Sequence, residues 1–409
     1  MILKPFKITH NNKDSLERAV SEIKKAEELY SLESRTFLES TGIYHFPLFC
    51  YLVDCGFNAS IINPIITHST KNGNIRKVKN DKIDSKGIAK LGLSKDIPVS
   101  QFPAKLVLEL RSLTRKYYDL TDERSAHINK LKGDLHTVFP QYLDVFCDVT
   151  GKTSTMILRQ YGTPDKILRG HKKTMIEKIS KASRKGLAKA SERYEKLCAA
   201  ANAAKTFGCQ IDSIYFNIFL TLDLVEKLDS ALDSILNRIR QLITFNKNEK
   251  FIQQIKLLNT IPGVGFLTAV TIMCEIGDFS AFRNPKQLFA YFGLDPEVNE
   301  SGKFVGTQLH MSKRGSRIAR RAIFAVALAS IRTKRNGEGI NPYLRKYYEL
   351  KSGQKPKMVA IGAVMHKVCN IVFAVLRDEK AFELRSPEEH CKHCLLYTSP
   401  SPRDRSLSR

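Results

Sequence analysis

The chain of 409 residues is strongly basic and carries enough apolar residues to build folded cores. Hydrophobic residues make up 43% of it, which excludes a wholly disordered chain. Lysine and arginine number 66 against 41 acids, so the formal net charge is +25. Such a surplus is unusual for an enzyme of small molecules and typical of a protein that binds a phosphate backbone. On charge alone, a generically basic protein stays open.

Cysteine usage and hydropathy predict a protein of the reducing cytoplasm without a membrane partner. The nine cysteines have no regular spacing, which argues against a disulfide framework. The first residues, MILKPFKITHNNK, lack the apolar core of a secretory signal. The most apolar stretch, from Met358 to Leu376, contains His366, Lys367 and Asn370. It is therefore predicted to be a buried helix and not a membrane span.

The first domain, residues 1–104, is predicted to be α/β. Apolar residues share one face of its first helix, at Leu16, Val20, Ile23 and Leu29. The segment reads as a helix, a strand, a second helix and a second strand, over residues 13–30, 35–39, 44–55 and 57–63. A strand–helix–strand order predicts neighbouring parallel strands.

Residues 105–250 are predicted to form long helices. Apolar residues at four- and three-residue spacing run from Leu106 to Val138, where Pro140 ends the run, and again from Ile218 to Leu242. This spacing favours two helices packed along a narrow seam, within one chain or between subunits as in a coiled coil. Between them lies a basic stretch, RGHKKTMIEKISKASRKGLAKASERYEK. It suits a solvated helical face and a nucleic-acid contact equally well.

A mainly helical third domain is predicted over residues 251–385, with two candidate phosphate contacts. Gly263 and Gly265 in PGVG resemble a helix-hairpin-helix, whose amides contact DNA phosphates, although a plain turn explains them nearly as well. Cations are unfavourable at a helix N-terminus, and an external phosphate would relieve them. Five such cations precede the apolar run AIFAVALA: Lys313, Arg314, Arg317, Arg320 and Arg321.

The last residues, 386–409, are predicted to be disordered or foreign to the rest of the chain. They are polar and end in CLLYTSPSPRDRSLSR, which continues no earlier pattern. The CKHC sequence at 391–394 has no second ligand pair, so no zinc is assigned to it.

Three acids of the first domain form a candidate metal site. Glu39 ends a predicted strand in FLESTGIYH, and Asp81 and Asp84 stand three residues apart near a helix start, on one face. Carboxylates that converge favour Mg²⁺ or Mn²⁺, and such ions assist phosphodiester chemistry. Taken singly, each acid is more often a helix cap or a surface charge.

The ordered motifs resemble a known family. FLESTGIYH, the IINP strand end and NDKIDSKGIAK resemble the amino-terminal domain of the DEDD transposases, of the insertion-sequence one-ten and one-eleven-eleven families related to the pilin-gene invertase. NTIPGVGFLTAV, FAYFGLDPEVNESGKFVG and MSKRGSRIARRAIF resemble the carboxy-terminal domain of the same families.

The resemblance implies a transposase or site-specific recombinase that cuts and rejoins donor and target DNA. It implies a RuvC-like first domain of the ribonuclease H type, in which Glu39, Asp81 and Asp84 match the second, third and fourth of four metal-binding carboxylates. Ser301, in NESGK, matches the family's nucleophilic serine, although a serine in such a loop is otherwise usually a turn residue. A structured guide RNA, a homodimer or tetramer and a place at the prokaryotic nucleoid are further implications.

The family's first aspartate has no counterpart in this sequence. The chain opens at LKPFKIT, which resembles the strand after the one that carries it. We therefore expect residues 1–409 to be poorly active or inactive, and upstream DNA to encode a further strand with an aspartate. Two other functions stay open. One is a hydrolytic nuclease that uses the same carboxylates, and the other is a truncated copy that only binds nucleic acid.

Overall fold

Residues 1–104 form one of two compact units, and a pair of parallel strands lies within it. Its elements are helix α1 (Lys13–Tyr30), strand β1 (Arg35–Glu39), helix α2 (His45–Asp54), strand β2 (Asn58–Ile62) and helix α3 (Asp81–Ser94). The strands pair from Arg35 opposite Asn58 to Glu39 opposite Ile62. The mixed α/β layout and the parallel pairing predicted from sequence are confirmed.

The computed structural model describes residues 6–9, 12–39, 44–62, 81–94, 105–246, 250–296, 300–301, 304–305, 310–386 and 389. The CKHC sequence at 391–394 lies outside these residues.

The first unit buries one face of α2 against its strands. Phe49 and Leu52 of α2 pack with Leu38 of β1 and Ala59 of β2. Helix α3 lies on β1 so closely that a Cβ added at Gly92 would stand 2.2 Å from the Phe37 ring. A glycine is therefore needed where this helix crosses the strand.

Residues 105–409 form the second unit. Its amino-terminal helices are α4 (Lys105–Val138), α5 (Tyr142–Val145), α6 (Lys152–Gln160), α7 (Pro164–Arg169), α8 (Lys172–Ser183), α9 (Leu187–Phe207) and α10 (Asp212–Phe245). Its later elements are α11 (Lys250–Leu258), α12 (Phe266–Ile276), a 3₁₀ turn (Phe279–Ala281), α13 (Pro285–Tyr291), β3 (Glu300–Ser301), β4 (Phe304–Val305), α14 (Arg317–Ser330), α15 (Pro342–Ser352) and α16 (Lys357–Asp378).

The two long helices, α4 and α10, pack against each other within the chain. Leu110 and Leu131 of α4 are fully buried, and Ile218 and Ile239 of α10 are at most 2% exposed. The seam predicted from the apolar spacing is therefore intramolecular. Pro140 follows the end of α4, as expected from its missing N–H.

Two hydrophobic cores lie at different levels of this helix pair. Leu110 and Ile239 belong to one core with the helices from α11 to α16. Leu131 and Ile218 belong to the other, which also buries residues of α5 to α9. The domain boundary predicted at residue 250 thus falls inside the second unit, where the long helices contribute to the carboxy-terminal core.

Helix α16 is the apolar stretch noted in the sequence. It is long and apolar enough to cross a membrane by length and composition. Val364, Val368 and Val372 are nevertheless fully buried inside the protein, and α14 and α15 pack on the helix. These are the contacts of a core helix, in agreement with the prediction.

We expect Leu131→Ala to destabilise the second unit by about 2–5 kcal/mol, because it removes a fully buried side chain and leaves a cavity. Urea unfolding followed by circular dichroism measures the change. Leu350→Ala, at a side chain that is 62% exposed, is the control and should change stability by less than about 1 kcal/mol. Equal losses in both variants would contradict the assignment of the seam.

Candidate active site

Two of the three candidate carboxylates in the first unit have described positions. Glu39 is the last residue of β1, opposite Ile62 of β2, and is half-buried. Asp84 lies in the first turn of α3 and is also partly buried. Leu91, seven residues later on the same helical stripe, is 3% exposed. The stripe that carries Asp84 therefore continues into the core of the unit.

Asp81 is the first residue of α3, and its side chain lies outside the described part of the molecule. Carboxylates in the first turn of a helix are stabilised as anions by the helix dipole. Among the residues that the structure describes, no three His, Cys, Asp or Glu side chains are grouped as a metal site. The three-carboxylate site therefore stays a prediction.

Ser301 lies in a short antiparallel hairpin of the second unit. Ser301 pairs with Phe304, and Glu300 pairs with Val305. At the base of the loop, Pro296 forms a bridge with Met311. The predicted nucleophile thus lies in a loop between α13 and α14. The bridge between Pro296 and Met311 joins the two ends of this loop.

The base of this loop is tightly held. The Ser312 hydroxyl donates to the Asp295 carboxylate at 2.6 Å, and the Ser312 amide donates to the Asp295 carbonyl at 2.8 Å. Gly293, with φ +66°, passes so near Gly315 that a Cβ on Gly293 would lie 2.4 Å from the Gly315 nitrogen. This close backbone approach fixes where the loop leaves the helical core.

A buried carboxylate, Glu275 at the end of α12, lies beneath that base. Its side chain is 2% exposed, and the Arg115 guanidinium of α4 donates to both of its oxygens at 2.8 and 2.9 Å. The Ser316 hydroxyl donates to the same carboxylate at 2.7 Å. Burial alone would raise the pKa of Glu275, but the bonds from Arg115 and Ser316 outweigh it and lower that pKa.

Glu275 and its neighbour Cys274, at the end of α12, are hydrogen-bonded to three other helices. Ser316 is the N-cap of α14, and its oxygen accepts from the Ala319 amide. The Tyr291 hydroxyl, at the end of α13, donates to the Glu275 carbonyl at 3.1 Å. Arg111 of α4 donates to the neighbouring Cys274 carbonyl at 2.7 Å. Glu275 therefore links the long helix to both ends of the loop that carries Ser301.

Three of the five cations predicted to await an external phosphate have internal partners. Asp122 of α4 pairs with Arg317 at 3.4 Å and Arg321 at 2.7 Å. Arg320 donates to the carbonyls of Phe292 and Gly315. Asp122 therefore balances the charges of Arg317 and Arg321, whereas Arg320 is held by neutral carbonyls. Of the five, Lys313, Arg314 and Arg320 form no ion pair within the described structure.

The two PGVG glycines have different surroundings. Gly263, with φ +97°, faces α14, where a Cβ would lie 2.6 Å from the Ser330 hydroxyl. Close packing is thus a sufficient reason for that glycine. Gly265 is exposed, caps α12 and has open space beside it. Gly265 is the one of the pair that a phosphate could approach.

Local sequence patterns did not predict roles for Glu275, Arg115 and Asp122. A single acid within the apolar run TIMCEIG was the only local sign of Glu275. The hydrogen bonds of Ser312 and Ser316 likewise have no local sign in the sequence, and the loss of a helix cap such as Ser316 costs about 1 kcal/mol.

Family models match both ends of the chain. One, described as Transposase IS116/IS110/IS902 family, matches residues 255–349. Another, a DEDD transposase model of the IS110 type, matches residues 2–140. Ser301 and the PGVG glycines fall in the first match, and Glu39, Asp81 and Asp84 fall in the second.

Curated relatives include insertion-sequence proteins and a DNA invertase. The IS110 uncharacterized 43.6 kDa protein of Streptomyces coelicolor is 23% identical over 69% of this chain and 66% of its own length. The pilin gene-inverting protein of Moraxella bovis is 30% identical over 43% of this chain and 52% of its own length. The IS1111A transposase of Coxiella burnetii is 26% identical over 44% of this chain and 50% of its own length. The matched part thus spans between half and two-thirds of each relative.

We expect Arg115→Met to destabilise the second unit by about 3 kcal/mol or more, because Glu275 would stay buried without its cation. Glu275→Gln should cost less, since it leaves only the half-exposed Arg115 unpaired. Urea unfolding of both variants measures the difference. A larger loss in Glu275→Gln than in Arg115→Met would contradict the proposed balance of charges.

We expect the Glu275 pair to contribute to acid sensitivity. Because the folded state lowers the pKa of Glu275 from its ordinary value of 4.5, the pair stabilises fully above that pH. Its contribution is lost as the pH falls through the lowered pKa. Stability should therefore decline less between neutral pH and pH 3 in Glu275→Gln than in the wild type, as measured by urea unfolding. The same decline in both proteins would refute this.

Proposed function

Because this chain belongs to the IS110/IS116 family of transposases, we propose that it is a DNA transposase or site-specific recombinase acting through a serine-linked intermediate. The family matches confirm the resemblance that the motifs predicted. One observation carries the proposal: a single chain contains a carboxylate-bearing unit followed by a serine-bearing loop, and each lies within its own family match.

Ser301 is the proposed nucleophile. Its hydroxyl oxygen attacks a backbone phosphorus, its proton leaves to a base, and the bond from phosphorus to one deoxyribose oxygen breaks. A DNA hydroxyl is freed, and the other DNA end stays attached to Ser301 as a phosphate ester. The hydroxyl of an exchanged strand then attacks the same phosphorus and displaces the serine. One ester replaces another at each step, so no ATP is consumed.

Glu39, Asp81 and Asp84 are the proposed ligands of Mg²⁺ or Mn²⁺. Carboxylate oxygens are the donors that these ions prefer, and a strand end beside a partly buried helix start supplies them in the first unit. A divalent ion held there would neutralise phosphate charge and lower the pKa of a bound hydroxyl. The proposal also assigns a RuvC-like fold to the first unit, supported by its parallel β1–α2–β2 order.

Nucleic acid is the proposed partner of the second unit. The net charge of +25 supports binding to phosphate backbones. Gly265, Lys313 and Arg314 are the proposed contacts, because each is exposed or unpaired near a helix N-terminus. The same surface would include Gly263 and the two arginines that pair with Asp122, Arg317 and Arg321. Arg320 would hold the nearby backbone through the carbonyls of Phe292 and Gly315. A structured guide RNA and a dimer or tetramer are proposed from the family resemblance.

We expect Ser301→Ala to abolish a protein–DNA adduct that survives denaturant, because it removes the attacking oxygen. Incubating active protein with labelled DNA and Mg²⁺, followed by denaturing electrophoresis, measures the adduct. Ser213→Ala is the matched control, since Ser213 is exposed and has no hydrogen bond to a described residue. Adduct formation by Ser301→Ala would show that another residue is the nucleophile. DNA cleavage without any adduct would favour the hydrolytic nuclease.

We expect the purified protein to carry one discrete RNA encoded beside its own reading frame, if the guide is real. The interaction should weaken steeply with salt, because phosphate contacts release counterions. Sequencing the co-purified RNA tests this. A random mixture of cellular RNA would refute the guide and leave non-specific binding in place.

A further inference from the structure

The basic stretch between the long helices contains two kinds of cation. Some are already matched within the fold. Lys172 and Lys196 pair with Glu195 and Glu192, at 3.9 and 2.8 Å. Others lie over aromatic rings: Lys178 over Tyr161, Arg193 over Phe146. These contacts are those of a solvated helical surface.

Arg169 and Lys173 of this stretch also lack an ion pair to a described residue, but the cations around the turn between α8 and α9 differ in being crowded together. We call residues 181–189 the α8–α9 tip. It contains Lys181, Arg184, Lys185 and Lys189, all exposed, and none of them forms an ion pair with a described residue. No acid lies within the tip. Four like charges in nine residues repel one another, so the tip suits a polyanion.

The tip has a defined conformation. The Ser180 hydroxyl donates to the Lys185 carbonyl at 2.7 Å, and the Lys185 amide donates to the Ser183 hydroxyl at 3.3 Å. Arg184, which ends α8, has φ +54°, a left-handed conformation that costs a non-glycine residue about 1 kcal/mol. Glycine is the usual residue at such a helix end. The same left-handed cap occurs at Ser31 and Glu379, so it fixes the shape of the turn without itself marking a binding site.

We propose that the α8–α9 tip binds the phosphate backbone of duplex DNA without reading its sequence. Exposed lysine and arginine neutralise phosphates but give no base readout when they lie on the backbone. The surface is separate from α14. Helices α8 and α9 pack in the core around Leu131, whereas α14 packs in the core around Leu110. Leu110 and Leu131 lie about 30 Å apart along α4. The proposal rests on the proposed function only for the choice of DNA as the polyanion.

The test is the salt dependence of duplex DNA affinity, measured by fluorescence anisotropy. In the triple variant Lys181→Gln, Arg184→Gly, Lys185→Gln, the slope of log affinity against log salt should fall by about 0.9 for each lost phosphate contact, up to about 3. The loss of affinity should be equal on two unrelated sequences. The matched control, Lys172→Gln, Lys178→Gln, Lys196→Gln, removes the same charge from the paired cations and should change the slope by less than about 1.

A single substitution separates binding from folding. Arg184→Gly relieves the positive φ, so it should keep or raise the melting temperature while weakening DNA binding. Ser31→Gly relieves the same strain, at φ +47°, without removing charge, and should leave DNA affinity unchanged.

Each contrary outcome has a distinct meaning. If the wild-type protein binds DNA and the tip variant shows the same salt slope, the proposed role of the tip is wrong and the proposed function is unaffected. A loss of RNA affinity with intact DNA affinity would also overturn the role of the tip. Wild-type protein without salt-dependent DNA affinity would overturn this proposal together with the proposed function.

Discussion

A carboxylate buried away from water must be matched by a cation and by hydrogen-bond donors, and in the second unit that carboxylate is Glu275. Arg115 and Ser316 satisfy it, and each belongs to a different helix. Glu275 thus fixes the long helix α4 against α12 and against the cap of α14. The arrangement of the carboxy-terminal core around the serine loop depends on this pairing.

A more exposed carboxylate, Asp122, balances further cations where α4 meets α14. Asp122 lies seven residues after Arg115 on α4, on the same stripe, and it balances Arg317 and Arg321. Cations are thus matched where α14 meets α4, whereas Lys313, Arg314 and the cations of the α8–α9 tip form no ion pair with a described residue. Positive charge remains available at the surfaces that we propose to meet nucleic acid.

Local patterns predicted the elements well, because their signals lie within short segments. The seam of α4 and α10 follows from apolar spacing, and the parallel pairing of β1 and β2 follows from the strand–helix–strand order of the first domain. The charge matching could not be predicted in this way. Arg115 and Glu275 stand 160 positions apart, so no local pattern joins them. Whether Glu39 and Asp84 converge on an ion also depends on tertiary structure. Only the family resemblance assigned the two residues to one metal site.

In the proposed reaction, Ser301 carries the DNA covalently. The direct measurement is to stop an active reaction with denaturant, digest the attached DNA with nuclease and locate the remaining nucleotide by mass spectrometry. We expect a phosphate-linked nucleotide on the peptide that contains Ser301, at the serine oxygen. A nucleotide attached to any other residue, or cleaved DNA with no nucleotide on the protein, would contradict it.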